Sequence, residues 1–177
     1  MKWIEAKPVE SKSCGACTLC CKVFEIDWLD RPKPAGRWCH HCKPGAGCAI
    51  WQAVPKGCAD YYCVWRLDPA LGPEWRPDVA RFLLTHAHQE APLALMVDPG
   101  APDAHRREPY RTKLARTARD ILEGRGSTIV VFNGRHRALL FPDGEIAIPD
   151  GVDLHEIRIE AREGMNGREW RPVFPNH

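Results

Sequence analysis

CGACTLCC, residues Cys14–Cys21, opens the segment that decides the fold of the first part of this chain. The chain has 177 residues and nine cysteines, all of them between Cys14 and Cys63. In full they are Cys14, Cys17, Cys20, Cys21, Cys39, Cys42, Cys48, Cys58 and Cys63. A chain of this length can bury an adequate core without cross-links, so thiols at this density indicate either disulfides or bound metal.

Bound metal is favoured over disulfides. The N-terminal residues lack the apolar run of a signal peptide, and no segment approaches the roughly 18 apolar residues of a transmembrane helix. We therefore expect a cytoplasmic protein without membrane association, in which thiols stay reduced. The odd number of cysteines and the adjacency of Cys20 and Cys21 also fit complete pairing poorly. All nine cysteines are therefore candidate metal ligands, and a redox-active thiol system is the weaker alternative.

Zinc is the metal that the spacing favours. Pairing Cys14 and Cys17 with Cys39 and Cys42 would give four thiolates for one closed, structural zinc site. The remaining cysteines would provide a second site with one thiol to spare. We therefore expect one or two zinc ions that organise a loop-rich segment.

An iron–sulfur cluster is the competing interpretation. Cys14, Cys17 and Cys20 match the first three positions of the bacterial ferredoxin run C-x2-C-x2-C-x3-C-P, but the chain contains no Cys-Pro pair. A remote cysteine would have to provide the fourth ligand. Such a cluster would give the protein a redox or enzymatic role, whereas zinc would be mainly structural.

Histidines and aromatic residues lie among and after the cysteines. His40 and His41 could replace a thiolate as metal ligands, but we favour exposed loop residues or hydrogen-bond donors to sulfur. A second pair, His86 and His88, is weak as a metal motif without a third ligand. The aromatic side chains near the cysteines are expected to pack over the thiols and exclude water: Trp28, Trp38, Trp51, Tyr61, Tyr62 and Trp65.

Residues 76–177 show the patterns of ordinary secondary structure, which separates them from a cysteine-rich metal-binding module at residues 1–75. The apolar run 93–97 predicts a buried strand. Apolar residues at helical spacing from Tyr110 predict a helix that stops at Gly124.

Strands are predicted after this helix. The dipeptide Asn133-Gly134 predicts a type I′ hairpin turn between strands at 128–132 and 135–141. A strand is also expected at 145–148, and alternating apolar residues predict another at 155–162. The sum is an α+β fold, in which a loop-rich, metal-stabilised module packs beside a small antiparallel sheet with one main helix.

The sequence assigns no reaction. It contains no glycine-rich phosphate loop, no G-x-S-x-G elbow and no HExxH helix, so whether the protein is an enzyme stays open. Basic residues near the predicted helix alternate with acidic ones, which favours a solvated face over a nucleic-acid surface. Metal ions are the expected partners, and a protein or nucleic-acid interaction module is a further alternative.

The cysteine segment resembles the YkgJ-like family of zinc- or iron-chelating CxxCxxCC domains. The likeness begins at CGACTLCC and covers about residues 14–78, through KPAGRWCHHC, GCAIW, PKGC and CVW. The resemblance implies cysteines that chelate zinc or iron, with no assigned reaction. Many members carry a single cysteine where this chain has Cys39 and Cys42, which implies that one of that pair is dispensable.

Overall fold

A computed structural model describes residues 7–86, 93–164 and 167–175 of the chain. Short helices, one long helix and β-sheets, two of them small and antiparallel, make up the fold, which confirms the predicted α+β class. Within the described residues, no helix combines the length and the apolar character needed to span a bilayer.

The first of two compact units consists of Met1–Thr85 with Met96–His105 and contains all nine cysteines. Prolines and glycines interrupt its cysteine segment, so the regular elements between Cys14 and Cys63 have at most four residues. In chain order the elements are α1 (Cys20–Val23), β1 (Cys42–Lys43), β2 (Gly47–Cys48), a 3₁₀ turn (Trp51–Ala53), α2 (Lys56–Ala59), α3 (Val64–Leu67), a second 3₁₀ turn (Pro73–Trp75), α4 (Pro77–Ala80) and β3 (Phe82–Thr85).

A buried carboxylate links distant segments of the first unit. The side chain of Asp98 is 3% exposed, and its oxygens lie 2.6 Å from Lys22 Nζ and 2.7 Å from Arg81 Nη2. The amide of Gly100 donates a further hydrogen bond to it, at 2.8 Å. Arg81 ends α4 at φ 64°, a left-handed geometry that costs energy in a residue other than glycine. Because Lys22 follows Cys21, these ion pairs fix the short helix α1, which contains the last two cysteines of the CxxCxxCC run.

The ion pairs also decide how Asp98 titrates. Burial by itself would raise the pKa of this carboxyl, but hydrogen bonds from Lys22 and Gly100 and the charges of Lys22 and Arg81 outweigh it and leave the pKa below its ordinary value. Because the pKa is lower in the folded state, the ion pairs stabilise the fold above the unfolded-state pKa of about 3.9. This contribution is lost as the pH falls through the folded-state pKa.

The second unit consists of His86–Leu95 with Arg106–His177. Strand β4 (Ala94–Val97) belongs partly to each unit, and the other elements that follow it are a 3₁₀ turn (Ala104–Arg106), α5 (Tyr110–Arg125), β5 (Ile129–Asn133), β6 (His136–Phe141), β7 (Gly144–Ala147), another 3₁₀ turn (Leu154–Glu156), β8 (Arg158–Gly164) and β9 (Gly167–Val173). The five-stranded sheet has the order β3-β4-β5-β6-β7, while β1-β2 and β8-β9 form antiparallel pairs of their own.

An apolar core organises the second unit. Leu122 of α5 belongs to one buried cluster with Val130 of β5 and Phe141 of β6. Trp170 of β9 joins the same cluster and is 8% exposed. The buried residues of α5 are spaced four apart, at Leu114, Ala118 and Leu122, which is the pattern of a helix with one apolar face.

The end of α5 differs from its prediction. The helix continues to Arg125, and Gly126 ends it at φ 63° with an N–H bond to the carbonyl of Leu122. The predicted stop, Gly124, is still helical. Two glycines with one residue between them offer the same helix-stop signal in sequence. Only the left-handed geometry of Gly126 shows which of them ends the helix.

The predicted hairpin is present with a shifted turn. Asn133 pairs with His136, so the two-residue loop consists of Gly134 and Arg135. Within this loop only Gly134 has a positive φ, of 62°, which fits a type II′ turn and not the predicted type I′. Asn133 therefore ends β5 and does not form part of the turn.

Replacing Asp98 by Asn should destabilise the fold by about 2 kcal/mol at neutral pH, because Lys22 and Arg81 keep their charges without the partner. Urea unfolding followed by tryptophan fluorescence measures the change. Asp143→Asn is the matched control: Asp143 is 68% exposed, lies 3.5 Å from Arg171, and should contribute less than about 0.5 kcal/mol. A wild-type advantage over D98N that stays constant below about pH 4 would contradict the ion-pair origin.

Candidate metal centre

Both C-x2-C segments form tight turns. The amide of Cys17 donates to the carbonyl of Cys14 at 2.7 Å, and the amide of Cys42 donates to that of Cys39 at 2.9 Å. Gly15 lies in the first turn at φ 49°, a geometry that favours glycine. Each turn thus keeps two cysteines of one segment close together along the backbone.

Cys63 provides a remote thiol to the first of these turns. The thiol of Cys63 interacts electrostatically with those of Cys14 and Cys17. Tyr61 interacts in the same way with Cys63, Cys20 and Cys14. We call these four cysteines, Cys14, Cys17, Cys20 and Cys63, the first thiol group.

Backbone amides point at two sulfurs of the first thiol group. The amides of Leu19 and Asp78 donate to the sulfur of Cys17, and the amide of Arg66, which donates to the carbonyl of Cys63 at 2.9 Å, also lies near the sulfur of Cys63. A neutral thiol is a weak acceptor, whereas a thiolate is a strong one. This arrangement therefore suits thiolates better than thiols.

The other five cysteines gather around a small apolar cluster. Cys39 is buried there with Ile26 and Leu29. Three further cysteines pack against this cluster: Cys21, Cys42 and Cys58. Cys48 joins them, since it pairs with Cys42 between β1 and β2 and interacts electrostatically with Cys58. We call Cys21, Cys39, Cys42, Cys48 and Cys58 the second thiol group.

The adjacent pair Cys20–Cys21 contributes to both groups. These residues begin α1, and consecutive residues of an α-helix point about 100° apart. We assign Cys20 to the first thiol group because it shares Tyr61 with Cys14 and Cys63, and Cys21 to the second because it packs against the cluster around Leu29. Cys21 also hydrogen-bonds to both Cys20 and Cys42, so the two groups adjoin at this dipeptide.

Burial and mutual proximity make these thiols hard to ionise. Burial raises the pKa of Cys17 to about 11, and burial together with the charge of Cys21 raises that of Cys42 to about 12. The hydrogen bond to Cys20, followed by burial, raises the pKa of Cys21 as well. Burial is the main cause of the raised pKa of Cys58 and Cys63. Neutral thiols are thus favoured near pH 7 unless a bound cation stabilises the thiolates.

A buried lysine lies beside the second thiol group. Lys33 is 4% exposed, and its ammonium donates to the carbonyls of Lys22, at 2.9 Å, and Phe24. Burial lowers the pKa of Lys33, while Cys39 and Cys21 make the largest contributions that raise it. A buried ammonium is costly without negative partners, and thiolates at these two cysteines would provide them.

The sulfurs are more widely spaced than in a closed zinc site. Four sulfurs around one zinc ion lie about 3.8 Å apart. Within residues 7–86, 93–164 and 167–175, no three thiols have all their sulfurs within 4.8 Å of one another. Metal binding would therefore require the cysteine side chains to rotate inward. In the same part of the chain, the set of three potential ligands that meets this limit consists of Asp30, His40 and His41.

The grouping proposed here differs from the predicted pairing of the two C-x2-C turns, which stays a prediction. Cys14 and Cys17 lie in the first thiol group, whereas Cys39 and Cys42 lie in the second. Spacing alone suggested the pairing, since both turns resemble the halves of one zinc site. In the backbone, the amide of Cys39 bonds to the carbonyl of Cys21 at 2.9 Å, which joins the second turn to the last cysteine of the CxxCxxCC run.

The aromatic residues near the cysteines differ in burial. Trp65 is 8% exposed. Trp51, Trp38 and Tyr62 are 64%, 41% and 37% exposed, which does not fit the prediction that they exclude water. Trp28 is 53% exposed, but its indole donates a hydrogen bond to the thiol of Cys58, in agreement with the prediction that it packs over the thiols. The predicted H-x-H pair cannot be described in full, because His88 lies outside the described residues.

Sequence reasoning identified the cysteines but not two residues that lie close to them. Asp30 accepts hydrogen bonds from two histidines ten residues further along, and Lys33 packs beside thiols from two segments. Neither residue has a recognisable motif around it. The only sequence signal is its position between two cysteine clusters, which is shared by many residues.

Comparisons with protein-family models, with curated proteins and with solved structures found nothing that matches this chain. The resemblance to the YkgJ-like family therefore rests on the cysteine motif alone.

In reduced protein that keeps its fold, Cys14 should react with iodoacetamide faster than Cys17 and Cys42. Cys14 is exposed, whereas a pKa of about 11 leaves only about 0.1% of Cys17 as thiolate at pH 8. Timed alkylation at pH 8 followed by peptide mass spectrometry gives each rate. The same experiment in concentrated urea is the control, because unfolding should make the rates similar. Equal rates in the native protein would show that burial does not protect these thiols.

Proposed function

We propose that the protein binds metal through the thiolates of its cysteine segment, with one or two zinc ions in a chiefly structural role. The observation that carries this proposal is the sorting of nine free cysteines into two groups within one unit. The amides that point at Cys17 and Cys63 and the buried ammonium of Lys33 support it, because both favour thiolates. Membership in the YkgJ-like family, a cytoplasmic location and metal ions as the partners belong to the same proposal.

The two thiol groups give the proposal a definite set of ligands. The first group has four members, which is the number of ligands in a closed zinc site. In the second group, Cys21, Cys39, Cys42 and Cys58 belong to the packing around Ile26 and Leu29. Cys48 is not among the residues described in that packing, so we assign it as the spare thiol.

A structural role follows from how little else holds the segment. Between Cys14 and Cys63 the helices have four residues or fewer and the strands have two. Helices this short are unstable in isolation, because the free energy needed to nucleate a helix exceeds the free energy gained from one turn of hydrogen bonds. In such segments the free energy of metal binding acts as free energy of folding.

An iron–sulfur cluster in the first thiol group is the second candidate, and one observation favours it. A cluster on the C-x2-C-x2-C run needs a fourth cysteine from elsewhere in the chain. Cys63 interacts with both Cys14 and Cys17 and so meets this requirement. In this alternative the first group would have a redox role, while the second group would still suit zinc.

Elemental analysis of anaerobically purified protein, combined with its absorption spectrum, decides between these candidates. A colourless protein with two zinc ions per chain would support the leading proposal. A brown protein, with iron and a visible band that bleaches on reduction, would support the cluster. Protein that holds neither metal after expression with both supplied would contradict thiolate metal binding altogether.

Single cysteine variants test the ligand assignment. We expect Cys63→Ser and Cys42→Ser each to lose one metal ion per chain, because each removes a ligand from a different group. Cys48→Ser is the matched control and should keep the full metal content. Metal lost equally from all three variants would contradict the assignment of Cys48 as spare.

Removing the metal should unfold the cysteine segment selectively. With free zinc a thousandfold above its Kd, binding contributes about 4 kcal/mol, and a chelator removes this stabilisation. Near-ultraviolet circular dichroism reports mainly on the first unit, which contains six of the seven tryptophans. The spectrum should collapse with chelator and return with zinc under reducing conditions. An unchanged spectrum in metal-free protein would contradict a structural role.

A further inference from the structure

Three side chains outside the two thiol groups converge on one point. Nε2 of His40 lies 3.0 Å from Oδ1 of Asp30, and Nε2 of His41 lies 3.2 Å from the same oxygen. The two imidazole rings are 4.0 Å apart between centroids. Adjacent histidines usually point in different directions, so a shared contact with one carboxylate oxygen is a specific arrangement.

The distances fit ligands of a single ion. Two ligands that each lie about 2.1 Å from a metal are about 3.0 Å apart in an octahedral site and about 3.4 Å apart in a tetrahedral one. The two measured distances, 3.0 and 3.2 Å, fall within this range. The ligand atoms of Asp30, His40 and His41 are all within 4.8 Å of one another.

Packing of the neighbouring residues holds the three side chains together. Leu29 and Cys39 belong to the same small buried cluster, and the residues that follow them are Asp30 and His40. The loop that carries Asp30 is closed by two backbone hydrogen bonds between Ile26 and Lys33, at 2.8 and 2.9 Å. The site is therefore positioned by buried residues although its ligands face outward.

The carbonyl of His41 also has a fixed partner. It accepts a hydrogen bond from the amide of Ala49 at 2.8 Å, next to the pairing of β1 with β2. The histidine backbone is thus held from both sides, by the Cys39 turn before it and by this pairing after it. Such support is what separates a positioned ligand set from chance neighbours on a surface.

We propose that Asp30, His40 and His41 form an additional metal site that binds a divalent first-row transition ion through two imidazole nitrogens and one carboxylate oxygen. Two histidines and one carboxylate suit zinc, iron(II) or cobalt(II), and three protein ligands leave coordination positions for water or a small ligand. The side chain of Asp30 is 70% exposed and those of the histidines are 22% and 24% exposed, so the ion can exchange with solvent. The thiol groups, by contrast, offer soft and partly buried ligands.

Cobalt(II) titration of metal-free, reduced protein under argon separates this site from the thiol groups. Thiolate-bound cobalt produces an intense sulfur-to-metal charge-transfer band, whereas cobalt held by nitrogen and oxygen does not. Total bound cobalt is measured by equilibrium dialysis and elemental analysis. We expect wild-type protein to bind one more cobalt ion per chain than saturates the charge-transfer band.

Two variants and two controls make the test specific. The double variant His40→Ala/His41→Ala should remove the additional ion and leave the charge-transfer band unchanged. Asp30→Asn, which keeps the size of the side chain, should weaken the affinity for the additional ion by about tenfold or more. His136→Ala and Asp143→Asn replace exposed residues of the same types elsewhere and should bind as wild type.

Each other outcome overturns the proposal. Equal cobalt content in wild type and the double histidine variant would show that no ion binds there. A charge-transfer band that falls in the variants would show that the histidines serve the thiol groups and form no site of their own. The two proposals can fail separately: an additional ion without a charge-transfer band would contradict thiolate binding alone, and a band without the additional ion would contradict this site alone.

Discussion

The ion pairs of Asp98 with Lys22 and Arg81 are the interaction on which the cysteine-rich unit depends. They connect the end of β4 to α1, which contains the last two cysteines of the CxxCxxCC run, and to the left-handed residue that ends α4. A segment of short turns cannot position itself by helix or strand hydrogen bonds alone, because its elements are too short to be cooperative. A buried carboxylate with two cationic partners holds these segments together without a large apolar core.

Around this carboxylate, the chain separates ligands by their chemistry. The sulfurs lie in two adjoining groups, where burial raises the thiol pKa and a cation would have to replace the protons. The imidazoles of His40 and His41 point instead to the exposed carboxylate of Asp30. Residues inside a single turn, from Cys39 to Cys42, therefore contribute to two kinds of ligand set. One consists of soft, partly buried sulfurs, and the other consists of nitrogen and oxygen atoms exposed to water.

Local patterns predicted most of the secondary structure. Spacing of apolar residues identified α5 and the strands from β4 to β8, because an element that is buried on one face carries apolar residues at a regular period in its sequence. Strands β3 and β9 were not predicted, and the other errors fell at element ends. Gly124 and Gly126 carry the same stop signal, and the dipeptide Asn133-Gly134 fits two hairpin registers that differ by one residue. Such choices depend on how the flanking strands and helix pack, and packing is not local.

By itself the sequence determined that this protein is an α+β chain with nine thiols concentrated between Cys14 and Cys63, and that two tight C-x2-C turns occur in it. Tertiary structure alone decided how the thiols are grouped. Cys63 lies with Cys14 and Cys17, and Cys39 and Cys42 lie with Cys21, because backbone bonds and the cluster around Leu29 bring distant segments together. The same packing brings Asp30 to the histidines. Spacing along a chain fixes which atoms a turn can present, whereas partners from different turns are chosen only when the chain folds.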